Sequence, residues 1–413
     1  MIFTGDPRDA GAISGMPFAA ARALERAGME IVPLLASPAT AVSSSASGSA
    51  SRIRALLKRR APERLREWAS NRAIARGPSV LASARGAAMR IAEQIALARR
   101  EGELDAIFGM CVSVPLAFLR TDLPIVYTSD ATARIVLTSY PRYARRPLAY
   151  REDCEECELR ALRNATRIGL ASEVAVRSAI EDYGVAPERV RLLPLGSHVV
   201  PDPATPIAIE PPTRGAVRLL IVASDPERKR IGLAIEAVEL LRRRGYGAEL
   251  VHIGAPHRML RRSCVRSLGA LRLADPTDRA RHHEAIRSTH LSILPSSGEA
   301  FGIAPAESAL AGRPAIVSDA GGLPTVVRDG ISGIVMPTAA SASAWADAIA
   351  ALVDDPDRYR RLATAARERA WREFTWDAWA RHLSALVEES IFERFARHFG
   401  EKRTPMSSPE RAS

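Results

Sequence analysis

At 413 residues the chain is too long for one ordinary hydrophobic core, so two domains are expected. With 47% hydrophobic and 25% charged residues it has the composition of a soluble globular protein, and its four cysteines (Cys111, Cys154, Cys157, Cys264) exclude a disulfide framework. The formal net charge of +11 is concentrated, because residues 52–100 hold thirteen Arg or Lys against three Glu. Such a block attracts an anionic membrane, a nucleic acid or an acidic substrate. Trp68 is the only aromatic residue within it, which removes the stacking platform that single strands need, so no nucleic acid is expected. No apolar run approaches the ~18 residues of a spanning helix. The opening M-I-F-T-G-D-P-R-D lacks the basic and apolar regions of a secretory signal. A cytoplasmic protein is expected, and residues 52–100 read either as a solvated helical region or as a peripheral contact to anionic membrane at the inner face.

Apolar runs and helical periodicities alternate along the chain, which predicts α/β architecture: parallel sheets with helices on both faces. The first unit is a strand at Ile2–Thr4, a Gly-rich loop from Gly5 to Gly15 and a helix from Pro17 to Ala27 closed by Gly28. A second strand follows at Ile31–Leu35, then a Ser-rich loop at Ser37–Ser51. Residues 52–100 read as two or three amphipathic helices. Ala106–Phe108 and Pro124–Tyr127 are strands, each preceded by an acidic residue, Asp105 and Asp122. Asp130 lies at a strand's carboxyl end, where it either orients an acceptor hydroxyl or a sugar, or N-caps a helix over 131–138. Next come a helix at Arg151–Asn164, a strand at Arg167–Ala171, a helix at Ser172–Tyr183 and a strand at Val190–Pro194. Cys154 and Cys157 form a C-x-x-C, but four glutamates and an aspartate around them oppose a thiolate. No second pair completes a zinc site, so the expectation is two thiols one turn apart on a helix.

The proline-rich, aperiodic stretch between Gly196 and Gly215 reads as a linker. It divides the chain into a first domain at 1–200, a linker at 201–215 and a second domain at 216–375. The second series runs through a strand at Val217–Ala223, a helix at Leu233–Arg243, and strands at Glu249–Ile253, Leu291–Pro295 and Ala315–Ser318. Helices follow at Ser343–Val353 and Arg358–Arg372, then an amphipathic helix at Trp376–Phe399 and a polar tail from 400 to 413 that is expected to be disordered. His252 is expected between sheet and helix, the pair His282–His283 on an exposed helix, and Asp355-Pro-Asp357 in a turn. No histidine spacing suggests a metal.

The most informative stretch is S-S-G-E-A-F-G-I-A-P-A-E, which carries Glu299 and Glu307 eight positions apart. Glu299 sits in a small-residue loop at the carboxyl end of a strand, and Glu307 on the first turns of the helix after it. Open α/β sheets bind ligands on that edge. The N–H groups of Phe301, Gly302 and Ile303 lie at a helix N-terminus, where they can hold a phosphate. Two carboxylates flanking that spot suit a ligand with hydroxyls on both sides of a diphosphate, such as a nucleotide-sugar.

Two such halves, the second with E-x7-E before a G-G-x-P turn, resemble the retaining glycosyltransferases of the GT-B fold. The large family 4 is the nearest pattern. The opening G-D-P-R-D-A-G-A-I-S-G-M-P-F, Y-T-S-D-A-T-A-R and R-L-L-P-L-G-S-H resemble its first loop, a later strand end and the approach to its hinge. The resemblance implies two Rossmann-like domains facing across a cleft, with the C-terminal helix returning to the first. It implies that Glu299 meets hydroxyls of the donor sugar and Glu307 those of the ribose. Lys229 in D-P-E-R-K-R stands where the family places a phosphate-binding lysine. Ser224 stands where the family has an arginine, so Arg228 or Arg230 is expected to supply that charge. Ser14 and Gly15 would let the first loop approach the diphosphate from the facing domain.

The activity that this resemblance implies is transfer of a sugar, with retention, from a nucleotide-diphosphate sugar to a glycan, lipid-linked or small-molecule acceptor. No cofactor and no metal are expected, because basic residues and helix dipoles neutralise the diphosphate. Lys229, Arg228, Glu299 and Asp130 are the catalytic candidates. The alternatives are a nucleotide-sugar epimerase of the same architecture and a non-catalytic protein that binds anionic surfaces. Against a dinucleotide-binding dehydrogenase, no G-x-G-x-x-G appears.

Overall fold

The computed structural model of the protein describes residues 1–4, 15–37, 63–201 and 207–401. Residues 5–14, 38–62, 202–206 and the tail from 402 lie outside the described residues. They include Ser14, most of the Gly-rich and Ser-rich loops and the first part of the basic block.

Short apolar segments without polar alternation must be covered on both faces. In the first half these are β1 (Ile2–Phe3), β2 (Leu34–Leu35), β3 (Ile107–Met110), β4 (Ile125–Ser129), β5 (Arg167–Leu170) and β6 (Val190–Leu192). They pair in parallel in the order β2-β1-β3-β4-β5-β6. Helices α1 (Met16–Arg26), α2 (Glu63–Arg76), α3 (Val80–Glu101), α4 (Ser113–Leu116), α5 (Ala133–Ser139), α6 (Pro141–Ala144), α7 (Leu148–Asn164) and α8 (Glu173–Glu181) accompany this sheet. Several start where a side chain caps the first turn: Ser79 for α3, Thr132 for α5 and Ser172 for α8.

The second sheet contains β7 (Val217–Val222), β8 (Ala248–Ile253), β9 (Val265–Ser267), β10 (Leu291–Leu294), β11 (Ala315–Ser318) and β12 (Gly333–Met336). Its order is β12-β11-β10-β7-β8-β9, again all parallel. Helices α9 (Ile231–Arg243), α10 (Pro276–Ser288), α11 (Ile303–Leu310), α12 (Leu323–Val326), α13 (Ala342–Val353) and α14 (Pro356–Glu373) belong to it. The edge strands β9 and β12 carry little sequence signal, since V-R-S and G-I-V-M are too short to show a period. Asp355 begins α14 as its N-cap and accepts from Arg358 N at 2.8 Å, so the D-P-D is a helix start.

The chain crosses between the halves twice, and Ser197 N donates to Phe374 O at 2.9 Å where the crossings meet. From there α15 (Trp376–Glu401) runs back along the first sheet, as the fold predicted from the sequence requires. Trp379 is fully buried against Phe108, with ring centroids 5.9 Å apart. Arg26 pairs with Asp377 at 2.6 Å, and Arg167 with Glu389 at 3.1 Å. One apolar core joins first-sheet residues Phe3, Met110 and Val126 to Phe301, Leu323 and Trp376. Across the cleft, Thr325 Oγ1 accepts from Glu173 N at 3.0 Å, and Arg328 pairs with the Glu173 carboxylate. Among the described residues, no helix is long and apolar enough to cross a membrane.

Candidate functional site

In an open parallel sheet the loops leaving two adjacent strands diverge where the strand order reverses, and that crevice is the default ligand site. In the second sheet the reversal lies between β7 and β10. The loop after β7 carries Arg228 and Lys229, and the loop after β10 carries Glu299. The topology therefore explains why residues 70 positions apart converge on one corner.

Three groups meet on the Glu299 carboxylate. Arg228 Nη1 donates to Oε1 at 2.8 Å, Ser296 Oγ donates at 2.7 Å, and Lys229 Nζ is in direct contact with the same oxygen. Arg228 Nη1 also donates to Gly298 O at 2.7 Å. Burial pushes the Glu299 carboxyl up, but the charges of Lys229 and Arg228 outweigh it and hold the group below the ordinary carboxylate range. Two cations thus share one buried anion. The three N–H donors of Lys229 and five of Arg228 are not exhausted by these bonds, so both can serve a second oxyanion. Arg230 does not join them. Its backbone is left-handed (φ 47°), and its guanidinium reaches Thr338 O instead. Of the two candidates for the charge missing at Ser224, only Arg228 reaches Glu299, a difference that adjacent positions in a sequence do not reveal.

Gly302 N-caps α11 in the left-handed region (φ 113°), which sets the helix N-terminus, with Ile303 in its first turn, beside this corner. The Phe301 side chain points away and packs edge-on against Phe374 at 5.9 Å, so only its backbone is available to a ligand. The Gly321–Gly322 turn lies directly against the Glu299 loop. Gly322 N donates to Glu299 O at 2.9 Å, and a Cβ at Gly321 would come within 1.9 Å of that oxygen. The G-G-x-P signature is thus a packing requirement of the Glu299 loop.

Glu307 lies apart from this cluster. It is buried on the second turn of α11 and lines a cavity of about 530 Å³ shared with Val199, the linker residues Pro201 and Ile207, and His283 of α10. Burial pushes its carboxyl up to about 8, against the opposing effect of the His198 and Val199 backbone N–H groups. Among the described residues its Oε1 has no partner, and His282 Nε2 stands 3.7 Å from Oε2 with neither ring nitrogen hydrogen-bonded. His282 is buried, which corrects the expectation of an exposed His282–His283 pair. Burial, and His283 next to it, hold its pKa down to about 4, so it brings no positive charge to Glu307. His252 is buried as expected, between Ser267 Oγ at 3.0 Å and Ala223 O at 2.8 Å.

From the first domain, Asp130 follows β4 and stands 3.8 Å from Cys111 Sγ. Burial raises its pKa, and the Glu299 charge across the cleft adds to the rise. It is not a helix cap, because Thr132 caps α5. Gly15 N-caps α1 in the left-handed region (φ 81°), and Ser14 lies outside the described residues. Tyr140 carries no sequence signature, yet its hydroxyl accepts from Ala300 N at 2.9 Å and its ring lies under Arg228 at 4.6 Å. Cys154 and Cys157 are free thiols on α7, with burial raising both pKa values. Among the described residues, no group of three or more His, Cys, Asp or Glu is arranged to hold a metal ion.

Residues 210–369 match the family model described as "Glycosyl transferases group 1". The chain is 27% identical over 293 residues to a D-inositol 3-phosphate glycosyltransferase of Thermobispora bispora, covering 67% of each chain. It is 26% identical over 308 residues to an MMP alpha-(1->4)-mannosyltransferase of Mycolicibacterium hassiacum, covering 71% of this chain and 73% of that one. A glycosyltransferase from Rickettsia africae superposes with a TM-score of 0.58 over 94% of this chain and 97% of that one at 14% identity. Sucrose-phosphate synthase from Thermosynechococcus elongatus superposes with a TM-score of 0.55 at 19% identity, over 74% of this chain and 79% of that one. The chain has the GT-B architecture, its residues 210–369 match the group 1 glycosyl transferases, and the relatives it resembles over about two thirds of its length are glycosyltransferases, which together support a transferase enzyme.

Proposed function

We propose that the protein moves a sugar from a nucleotide-diphosphate sugar to an acceptor hydroxyl with retention of anomeric configuration. The observation that carries this reading is the convergence of Arg228 and Lys229 on Glu299 beside the N-terminus of α11. Two cations and a helix N-terminus suit a diphosphate leaving group, which gains charge as the glycosidic bond breaks. Glu299 accepts hydrogen bonds from the sugar hydroxyls. Glu307, with its unpartnered oxygen, accepts them from the ribose. Asp130, Gly15 and Ser14 act from the facing domain, on the acceptor and on the diphosphate. With two basic side chains already placed, the leaving group needs no divalent ion.

In the transfer, the bond between the anomeric carbon and the diphosphate oxygen breaks as the acceptor oxygen attacks from the same face. The acceptor's proton passes to the departing phosphate oxygen. Closure of the cleft excludes water, so that the acceptor hydroxyl is the nucleophile.

The test is a thermal-shift panel of UDP, GDP, ADP and their sugars, followed by product analysis with the donor that raises the melting temperature most. One donor is expected to stabilise the protein and to yield a glycoside of unchanged anomeric configuration, with EDTA having no effect on turnover. A glycoside of inverted configuration contradicts the mechanism. Isomerised nucleotide-sugar formed without acceptor shows an epimerase instead.

A further inference from the structure

Tyr140 belongs to the first domain, but three observations tie it to the catalytic corner of the second. Its hydroxyl accepts a hydrogen bond from Ala300 N, one residue past Glu299. The Arg228 guanidinium lies over its ring, 4.6 Å from the centroid. The preceding residue meets the same loop, because a Cβ on Gly298 would come within 2.7 Å of Ser139 O. The end of α5 and the Glu299 loop are therefore in backbone contact, and glycine at 298 is what permits it.

Arg228 places Nη1 on Gly298 O and the Glu299 carboxylate, Nε 3.5 Å from Asp225, and Cζ over the Tyr140 ring. A guanidinium held along an edge and a face has lost most of its freedom before any ligand arrives. The face contact exists only when the domains are closed, since Tyr140 and Arg228 lie on opposite sides of the cleft. A guanidinium over an aromatic ring still points its N–H donors outward in its own plane, so those not bound to Gly298, Glu299 and Asp225 remain for an oxyanion.

We infer that Tyr140 is a positioning residue that couples domain closure to the placement of Arg228 and the Glu299 loop for the transfer step. The inference rests on the donor site proposed above and adds to it a group from the facing domain. In the proposed donor site the ribose is held at Glu307, away from Tyr140, so Tyr140 acts on the reacting geometry more than on donor affinity. Misplacement of one charged group by about an ångström is enough to cost ~100-fold in turnover.

The test measures nucleoside diphosphate release from UDP-glucose, UDP-N-acetylglucosamine, GDP-mannose and ADP-glucose, using for the variants the donor that the wild type turns over fastest. Tyr140→Leu removes ring and hydroxyl and is expected to lower kcat about 10- to 100-fold, with KM for the donor changed less than about threefold. Tyr140→Phe keeps the ring under Arg228 and is expected to restore most of that loss, to within about threefold of wild type. In the background of Arg228→Ala, Tyr140→Leu should have little further effect, because the two act through one geometry. A merely structural role would lower the melting temperature and leave kcat of the folded enzyme unchanged, which overturns the inference. So do effects of Tyr140→Leu and Arg228→Ala that multiply independently. Lys229→Ala is the control: if it turns over like wild type, the underlying site reading fails. If Lys229→Ala is inactive while Tyr140→Leu is unimpaired, only the role of Tyr140 fails.

Discussion

Glu299 and Glu307 are both buried, eight positions apart in one loop and helix, yet their surroundings are electrically opposite. Glu299 is met by Arg228, Lys229 and Ser296, and its carboxyl lies below the ordinary range. Glu307 is met by backbone N–H groups and an uncharged His282, and its carboxyl rises to about 8. Burial alone favours the neutral acid in both places, and only the presence of cations reverses it. The two therefore suit different parts of one ligand. In the proposed reading, the Glu299 corner meets charge that develops in the reaction, and the Glu307 corner meets hydroxyls that merely bind.

Lys229→Ala is expected to have the largest effect. It should lower kcat about 100- to 1,000-fold with a smaller change in KM, as loss of a leaving-group contact made mainly in the transition state does. Steady-state kinetics that show a KM effect alone would erase the distinction between the corners. Glu307→Gln should act the other way, raising the Kd for the nucleoside diphosphate about 10-fold in calorimetry with kcat changed little.

The pH dependence of stability separates the corners without a substrate. For Glu307, between the ordinary carboxylate value of 4.5 and about 8, the native state holds a proton that the unfolded chain has lost. Stability therefore falls as pH rises through that window, by a few kcal/mol at most. Glu307→Gln should flatten the decline in Tm between pH 5 and pH 8. Glu299 has the opposite sign. Its folded pKa is depressed, so its contribution is complete above 4.5 and is lost as pH falls through the folded value. Glu299→Gln should leave the pH 5–8 profile unchanged in shape and weaken the acid limb. The smallest effect is expected at His282, whose ring nitrogens have no partner. His282→Leu should be neutral or stabilising by up to about 1 kcal/mol in urea titration, since it removes a buried polar group without stranding another.

Much of this was legible in the sequence because the signals are local. The strand L-S-I-L, the small-residue loop and the G-G-x-P turn each state one backbone requirement, and together they place Glu299. The approach of Lys229 becomes apparent only once the strand order is known, since β7 and β10 are neighbours in space and far apart in the chain. Arg228 and Arg230 could not be told apart, because a single left-handed residue sends one guanidinium to Glu299 and the other to Thr338. The burial of His282 was hidden in the polar string R-H-H-E, where only packing against α11 distinguishes adjacent histidines. Tyr140 left no trace, because its partners lie in the other domain, 160 residues away at Ala300.

The most direct measurement is an experimental structure of the protein with the nucleoside diphosphate that raises its melting temperature most. The account predicts phosphate oxygens on Lys229 Nζ, Arg228 and the first amides of α11, with the ribose hydroxyls on Glu307. A nucleotide bound elsewhere, with Lys229 and Arg228 still engaged by Glu299 alone, would contradict it.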